Sequence, residues 1–144
     1  MKIWLKNPLS ILAENAEGGI LLEGTRIAEL VPSGKQPSAE YDSVFDAGSH
    51  VILPGLINLH HHFFQTLTRV YPQALNKKLF PWLKTLYPLW AGLTPEAVRM
   101  ATRLALAELL LSGCTTASDQ HYVFPAGLEK AIDLQVEEAN NLGI

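Results

Sequence analysis

The sequence has a single cysteine, no excess of basic residues and no long apolar run. Cys114 is the only cysteine in 144 residues, so the chain cannot form an internal disulfide. The formal charge of -3 leaves no basic footprint for a nucleic acid. The longest apolar run, residues 104–111, is interrupted by Glu108 and is too short to cross a bilayer. We therefore expect no nucleic-acid partner, no membrane partner and a cytoplasmic location.

The segment before residue 54 contains short, strand-like stretches separated by turns. Residues 2–6, 43–46 and 50–53 are candidate strands, and residues 19–23 and 26–31 flank a glycine-bearing turn that is typical of a hairpin. These strands are too few to bury both faces of a sheet. We therefore expect residues 1–53 to need a partner from elsewhere in the protein.

The pattern changes after Pro54-Gly55, where strands and helices alternate. The predicted order is a strand at 56–60, a long aromatic-rich loop at 63–93, a helix from Thr94-Pro95 to about 112, a strand at 114–118 and a helix at 125–142. This order predicts two β/α units of a parallel α/β architecture. A two-stranded parallel sheet cannot cover itself, so we expect the front part of a longer protein, or a chain that another chain completes.

Three consecutive histidines end the first strand of this second segment. Side chains alternate along a strand, so His60 and His62 are predicted on one face and His61 on the other. Two imidazoles at this spacing can bind one divalent metal such as zinc, iron, nickel or copper. The alternative is three polar residues in a loop. Their position at the end of a strand favours the metal site, since α/β enzymes keep their catalytic groups there.

The motif VILPGLIN at residues 51–58, followed by His60-x-His62, resembles the amidohydrolase superfamily of metal-dependent hydrolases. The resemblance implies an α/β fold in which residues 54–144 supply the first two β/α units of a (β/α)8 barrel. It also implies that residues 1–53 are part of a composite β-sandwich whose other strands follow the barrel. The barrel is expected to be incomplete in this chain.

Three further motifs, at residues 60–69, 79–84 and 109–116, resemble the cytosine/guanine/triazine aminohydrolase branch, and most narrowly the 8-oxoguanine deaminases. The resemblance implies hydrolysis of 8-oxoguanine to urate and ammonia with one zinc ion per chain, iron being an alternative metal. Guanine, triazine or adenosine-derivative substrates are alternatives within the branch. A short non-catalytic protein that binds a metal or a partner is the alternative of another class.

The resemblance also implies roles for individual residues. His60 and His62 match the two metal ligands of the first barrel strand, and Gln65 matches a glutamine that hydrogen-bonds the purine. The remaining ligands and the proton-shuttling carboxylate are expected after Ile144, so no catalytic residue is assigned in this segment. The isolated 144-residue chain is therefore expected to be inactive, and the intact protein is expected to be a homo-oligomer that binds a small purine or triazine.

Four other residues are singled out, and three of them, Trp82, His121 and Arg69, have two interpretations each. Trp82 matches a tryptophan near the substrate pocket, with core packing as the alternative. His121 follows the second strand and either lines the pocket or is structural. Asp119 precedes it and matches no metal ligand of the family. Arg69 could orient a substrate, although a salt-bridged arginine is the default interpretation.

Overall fold

Strands dominate the first 54 residues of the chain, and helices dominate the remainder. The computed structural model describes all residues from Met1 to Ile144 and divides into two units, Met1–Pro54 and Gly55–Ile144. This division lies one residue from the predicted boundary. The chain as a whole is mixed α/β.

The first unit contains six strands: β1 Lys2–Lys6, β2 Ser10–Ile11, β3 Gly19–Glu23, β4 Arg26–Val31, β5 Ser43–Asp46 and β6 Val51–Ile52. Four of them form a sheet with the order β4-β3-β1-β5. Strand β3 pairs antiparallel with both β1 and β4, whereas β1 and β5 are parallel. The short strands β2 and β6 form a separate parallel pair. The predicted strands and hairpin are confirmed, and β2 was not predicted.

The core of the first unit is small, and much apolar surface stays exposed. Trp4, Leu21 and Val31 are buried together, and the Trp4 indole N–H donates to Gly18 O at 3.1 Å. Ile27 and Leu53 are 60% and 62% exposed, and both line a shallow apolar groove of about 140 Å³. This exposure agrees with the expectation that the strands of this unit need additional cover.

The second unit contains two parallel strands and three α-helices. The elements are β7 Leu56–His61, 3₁₀ helices Phe63–Thr68 and Pro72–Ala74, α1 Leu79–Trp90, α2 Pro95–Leu111, β8 Cys114–Asp119 and α3 Ala131–Leu142. Strands β7 and β8 pair directly, and two 3₁₀ helices precede α1 in the connection between them. The predicted strand–helix–strand–helix order is confirmed. No helix in the structure is both long and apolar enough to cross a membrane.

The prediction of a loop over 63–93 was wrong for residues 79–90, which form α1. Pro81 lies in the first turn of α1, where its missing N–H would have no partner within the helix. Pro88 lies inside the helix and removes the hydrogen bond that its N–H would donate to the carbonyl four residues earlier. The helix ends two residues after Pro88, at Trp90.

The boundaries of α2 follow its sequence signals, and the start of α3 does not. The Thr94 hydroxyl accepts a hydrogen bond from the Ala97 N–H at 3.2 Å, and Pro95 is the first helical residue. Helix α3 begins at Ala131 rather than at residue 125. Gly127 adopts a left-handed φ of +84°, which a helix cannot include.

Helices α2 and α3 are joined by an ion-pair network around Glu138. This carboxylate is 1% exposed and accepts from Arg99 Nη1 at 2.6 Å and from Arg103 Nε at 2.5 Å. The exposed Glu137 pairs with Arg99 as well, at 2.6 Å. The two arginines hold the pKa of Glu138 down to about 2.

Candidate metal and substrate site

The end of β7 places two imidazole nitrogens close together. His60 Nε2 and His62 Nε2 lie 3.2 Å apart, and the two rings are perpendicular with centroids 5.0 Å apart. Strand alternation accounts for the pairing, since the two residues are separated by one position. The His61 ring packs instead against Phe63 at 5.0 Å, and burial lowers its pKa.

The geometry of this pair fits a zinc ion. Two nitrogens that each lie about 2.0–2.1 Å from a tetrahedral zinc are about 3.3 Å apart, close to the observed separation. His62 Nδ1 donates to Gln120 O at 2.7 Å, because a carbonyl oxygen can only accept. This bond leaves the lone pair of His62 on Nε2, as a metal ligand requires.

The chain itself supplies an incomplete set of ligands. No group of three or more His, Cys, Asp or Glu side chains in the structure is arranged to hold a metal ion. A catalytic zinc site uses three protein ligands, and His60 with His62 provides two. A complete site needs at least one further ligand from outside these 144 residues.

A cavity of about 340 Å³ lies beside the histidine pair. This volume is in the range of small-molecule sites. Gln65 reaches the cavity from the first 3₁₀ helix, and Trp82 reaches it from α1. Trp82 also packs against the buried Trp90 at 5.5 Å, so it serves both the core and the wall of the cavity. The lining residues are His60, His61, His62, Gln65, Thr66, Thr68, Arg69, Val70 and Trp82.

Tyr122 is a site residue that the sequence did not reveal. Gln65 Nε2 donates to its hydroxyl oxygen at 2.8 Å, and its ring lies edge-on to His62 at 5.2 Å. Burial raises the pKa of the Tyr122 phenol, and the hydrogen bond from Gln65 partly offsets that effect. The only sequence signal was its position just beyond the end of β8, next to residues 119–121.

Asp119 has a structural role that uses both of its carboxylate oxygens. Oδ1 accepts the backbone N–H of Phe63 at 2.7 Å, and Oδ2 accepts from Gln135 Nε2 at 2.7 Å. The side chain thus joins the end of β8 to the first 3₁₀ helix and to α3. Neither oxygen is free of protein partners.

His121 lies away from the histidine pair. Its Nε2 donates to Val123 O at 2.7 Å, and its ring packs between Phe64 and Phe124 at 5.1 and 5.0 Å. It borders a second cavity, of about 300 Å³, together with Asp119 and Gln135. The structure therefore does not bring His121 into the cavity that Gln65 and Trp82 share with the histidine pair.

Arg69 is held at the edge of the cavity by an ion pair. Its guanidinium binds Glu108 through two hydrogen bonds, of 2.8 and 2.5 Å, and lowers the pKa of that carboxyl. The default interpretation of Arg69 as a salt-bridged residue is what the structure shows. Its charge is matched by Glu108 rather than left for a ligand.

The chain is similar to an amidohydrolase family model and to named deaminases. A family model described as "Amidohydrolase family" matches residues 51–143. An 8-oxoguanine deaminase from Pseudomonas aeruginosa is 57% identical over 99% of this chain. A 5-methylthioadenosine/S-adenosylhomocysteine deaminase from Syntrophomonas wolfei is 41% identical over 74% of it. The chain spans 32% and 24% of the lengths of these two relatives.

Solved structures of related proteins share the fold of this chain. Atrazine chlorohydrolase TrzN from Arthrobacter aurescens TC1, complexed with zinc, matches 99% of this chain with a TM-score of 0.80 and 28% identity. A triazine hydrolase from the same organism matches with a TM-score of 0.83. The chain covers 34% of each of these structures.

Proposed function

The chain belongs to the amidohydrolase family, and from that premise we propose that it is the metal-binding front part of a hydrolytic deaminase. The proposed reaction converts 8-oxoguanine and water to urate and ammonia. The observation that carries the proposal is the pair of Nε2 atoms 3.2 Å apart, beside a cavity that Gln65 lines. The 57% identity to an 8-oxoguanine deaminase supports the substrate.

We further propose that β7 and β8 are the first two strands of a (β/α)8 barrel. The strands are parallel, helices α1 and α2 connect them, and α3 follows β8. His60 and His62 lie at the carboxyl end of β7, which is the catalytic end of such barrels. The exposed apolar groove of the first unit fits a composite sandwich that other strands complete.

His60 and His62 would hold zinc through Nε2, with iron as the alternative metal. A bound zinc ion acidifies water so that hydroxide is available at neutral pH. The Gln120 carbonyl keeps His62 in the tautomer that binds a metal. The third ligand and the group that moves the proton to the leaving ammonia come from other parts of the full-length protein.

Gln65 and Trp82 would bind the substrate. A carboxamide offers a donor and an acceptor together, which suits the N–H and C=O of a purine lactam edge. Trp82 supplies a flat apolar wall for the ring system. The hydrogen bond from the Phe63 N–H to Asp119 holds the chain directly after the histidines. It would therefore keep the distance between Gln65 and the metal ligands constant.

Another substrate of the same reaction class is the second candidate. The similarity to zinc-containing and triazine-hydrolysing structures favours a triazine. The similarity to a 5-methylthioadenosine/S-adenosylhomocysteine deaminase favours an adenosine derivative, and guanine is a further alternative from the motif resemblance. In all of them the leaving group is on a ring carbon that is bonded to at least one ring nitrogen. The non-catalytic metal- or partner-binding protein remains the alternative of a different class.

The test is ammonia release by the full-length protein loaded with zinc. 8-oxoguanine, guanine and a hydroxylated triazine are compared, and His60→Ala is compared with His50→Ala, a histidine of the first unit. We expect 8-oxoguanine to react fastest and only His60→Ala to abolish the reaction. A preference for another substrate would replace 8-oxoguanine in the proposal, and metal binding without turnover would favour the non-catalytic alternative. Sedimentation of the same sample tests the expected homo-oligomer.

A further inference from the structure

We propose that Tyr122 is a positioning residue that holds the Gln65 carboxamide in place beside the cavity and so sets which ligands the cavity accepts. The inference rests on the proposed function, because it assigns Gln65 to the recognition of a lactam edge. Tyr122 does not line the cavity itself. It acts through the hydrogen bond of 2.8 Å between Gln65 Nε2 and its hydroxyl.

The Tyr122 ring is held by three aromatic neighbours. It meets the His62 ring at 5.2 Å, Phe64 at 5.3 Å and Trp90 at 6.2 Å, each close to perpendicular. Phe64 and Trp90 are both fully buried. These contacts restrict the position of the phenol oxygen relative to His62, although Tyr122 is 40% exposed.

Gln65 is tied to the same histidine through the backbone. Its N–H donates to His62 O at 2.9 Å, in the first turn of the 3₁₀ helix. A glutamine side chain still has three rotatable bonds, and its amide group can turn over. The Tyr122 hydroxyl limits that freedom, because it accepts a hydrogen bond from Nε2 and so holds the carboxamide at one place beside the cavity.

The side-chain atoms of Gln65 that have no partner in the chain determine which ligands the cavity can bind. The structure gives Gln65 Oε1 and the second N–H of Nε2 no partner within the chain, and Gln65 borders the cavity. A ligand with a ring N–H beside a carbonyl can satisfy both groups. A ligand without that N–H leaves one of these groups unpaired, which weakens binding.

The experiment separates this role from packing by a double-mutant cycle. Binding of 8-oxoguanine is measured at equilibrium in the full-length protein carrying His60→Ala, which is designed to bind without turnover. Tyr122→Phe keeps the ring and removes the hydroxyl, and Gln65→Met keeps the length and removes the amide. Tyr87→Phe is the matched control, since the Tyr87 ring packs against Trp90 at 5.6 Å in the same cluster.

We expect Tyr122→Phe to raise the Kd about 3- to 10-fold, the range for one neutral hydrogen bond. In a protein that already carries Gln65→Met, the same change should have almost no effect, and Tyr87→Phe should have none in either background. In the zinc-loaded enzyme, Tyr122→Phe should raise KM with little change in kcat. Losses that simply add, with and without Gln65→Met, would show that Tyr122 acts by packing alone and would overturn the inference.

The same measurements keep the two proposals apart. Coupling in the binding cycle, together with no ammonia release by the zinc-loaded protein that retains His60, supports the role of Tyr122 and overturns the proposed deamination. Ammonia release without coupling does the reverse. An absence of 8-oxoguanine binding in the His60→Ala protein overturns the role assigned to Tyr122, because that role requires Gln65 to contact the ligand.

Discussion

Asp119 Oδ1 accepts the backbone N–H of Phe63 at 2.7 Å, and this bond joins the ends of the two parallel strands that carry the candidate site. Phe63 directly follows the three histidines, and Asp119 is the last residue of β8. The N–H belongs to the first residue of a 3₁₀ helix, where no backbone acceptor is available. The carboxylate thus sets where the chain turns after the histidine pair.

We expect Asp119→Ala to destabilise the protein and to weaken metal binding. The change removes two hydrogen bonds to a charged acceptor, so the free energy of unfolding should fall by about 2–3 kcal/mol. Zinc affinity should fall about 10-fold or more, because the turn after His62 loses its anchor. Urea unfolding and a zinc competition titration measure the two effects. The control is Glu40→Ala, an exposed carboxylate without a partner; an equal loss in both variants would contradict this role.

We expect His60→Ala and His62→Ala each to lower the zinc content of the full-length protein well below one per chain. Loss of a ligand should reduce zinc affinity at least about 100-fold, more than the loss of a supporting residue does. Metal analysis after dialysis gives the stoichiometry. His61→Ala is the control, because the His61 ring packs on Phe63 and not on His60 or His62. Full zinc loss in His61→Ala together with retention in His62→Ala would contradict the assigned ligands.

The parts of the site that the sequence predicted depend on local rules. Alternation along β7 predicts that His60 and His62 share a face, and the structure places their Nε2 atoms 3.2 Å apart. The Thr94-Pro95 signal predicts the start of α2 for a similar reason, since cap and helix are adjacent in the chain. In each case the residues that decide the structure lie within one turn or one pleat.

The parts that were missed depend on contacts between distant residues. Tyr122 and Gln65 are 57 positions apart, and no local pattern indicates that a hydroxyl and an amide will meet. Glu138 is buried against two arginines of α2 that lie 39 and 35 positions earlier in the chain, and no local pattern indicates those contacts. Helix α1 was missed because its start lacks the usual signals: Lys78 at the N-cap makes no side-chain capping hydrogen bond, and the first turn has no acidic residue.

We expect Gly19→Ala to destabilise the first unit far more than Gly34→Ala. Both glycines have positive φ, +110° and +69°, so both substitutions strain the backbone. A Cβ on Gly19 would collide with the Leu5 carbonyl oxygen, whereas a Cβ on Gly34 would meet nothing within 4 Å. The loss should be about 1–2 kcal/mol for Gly34→Ala and more than about 3 kcal/mol for Gly19→Ala. Urea unfolding of both variants measures the difference, and equal losses would show that β1 and β3 shift apart at little cost.

The Glu138 network predicts a stability difference that depends on pH. The folded protein holds the pKa of Glu138 at about 2, below the ordinary glutamate value of 4.5. A carboxyl whose pKa is lower in the folded state adds stability that is fully present above its unfolded pKa and is lost as the pH falls through the folded value. Glu138→Gln should therefore cost most stability at pH 5 and above, and the gap to the unmodified protein should close between pH 4.5 and 2.

Glu137→Gln is the matched control for this prediction, because Glu137 is the adjacent residue on α3 and pairs with Arg99 from an exposed position. Solvent screens that pair, so its loss should have a small effect. The burial of Glu138 between two arginines makes its neutral replacement the more costly one, since Arg99 and Arg103 lose the charge they share. Urea unfolding midpoints of the three proteins at pH 7, 4 and 3 test this order. A Glu138→Gln effect that stays constant from pH 7 to 3, or that equals the Glu137→Gln effect, would show that the network holds α2 to α3 by shape and hydrogen bonding rather than by charge.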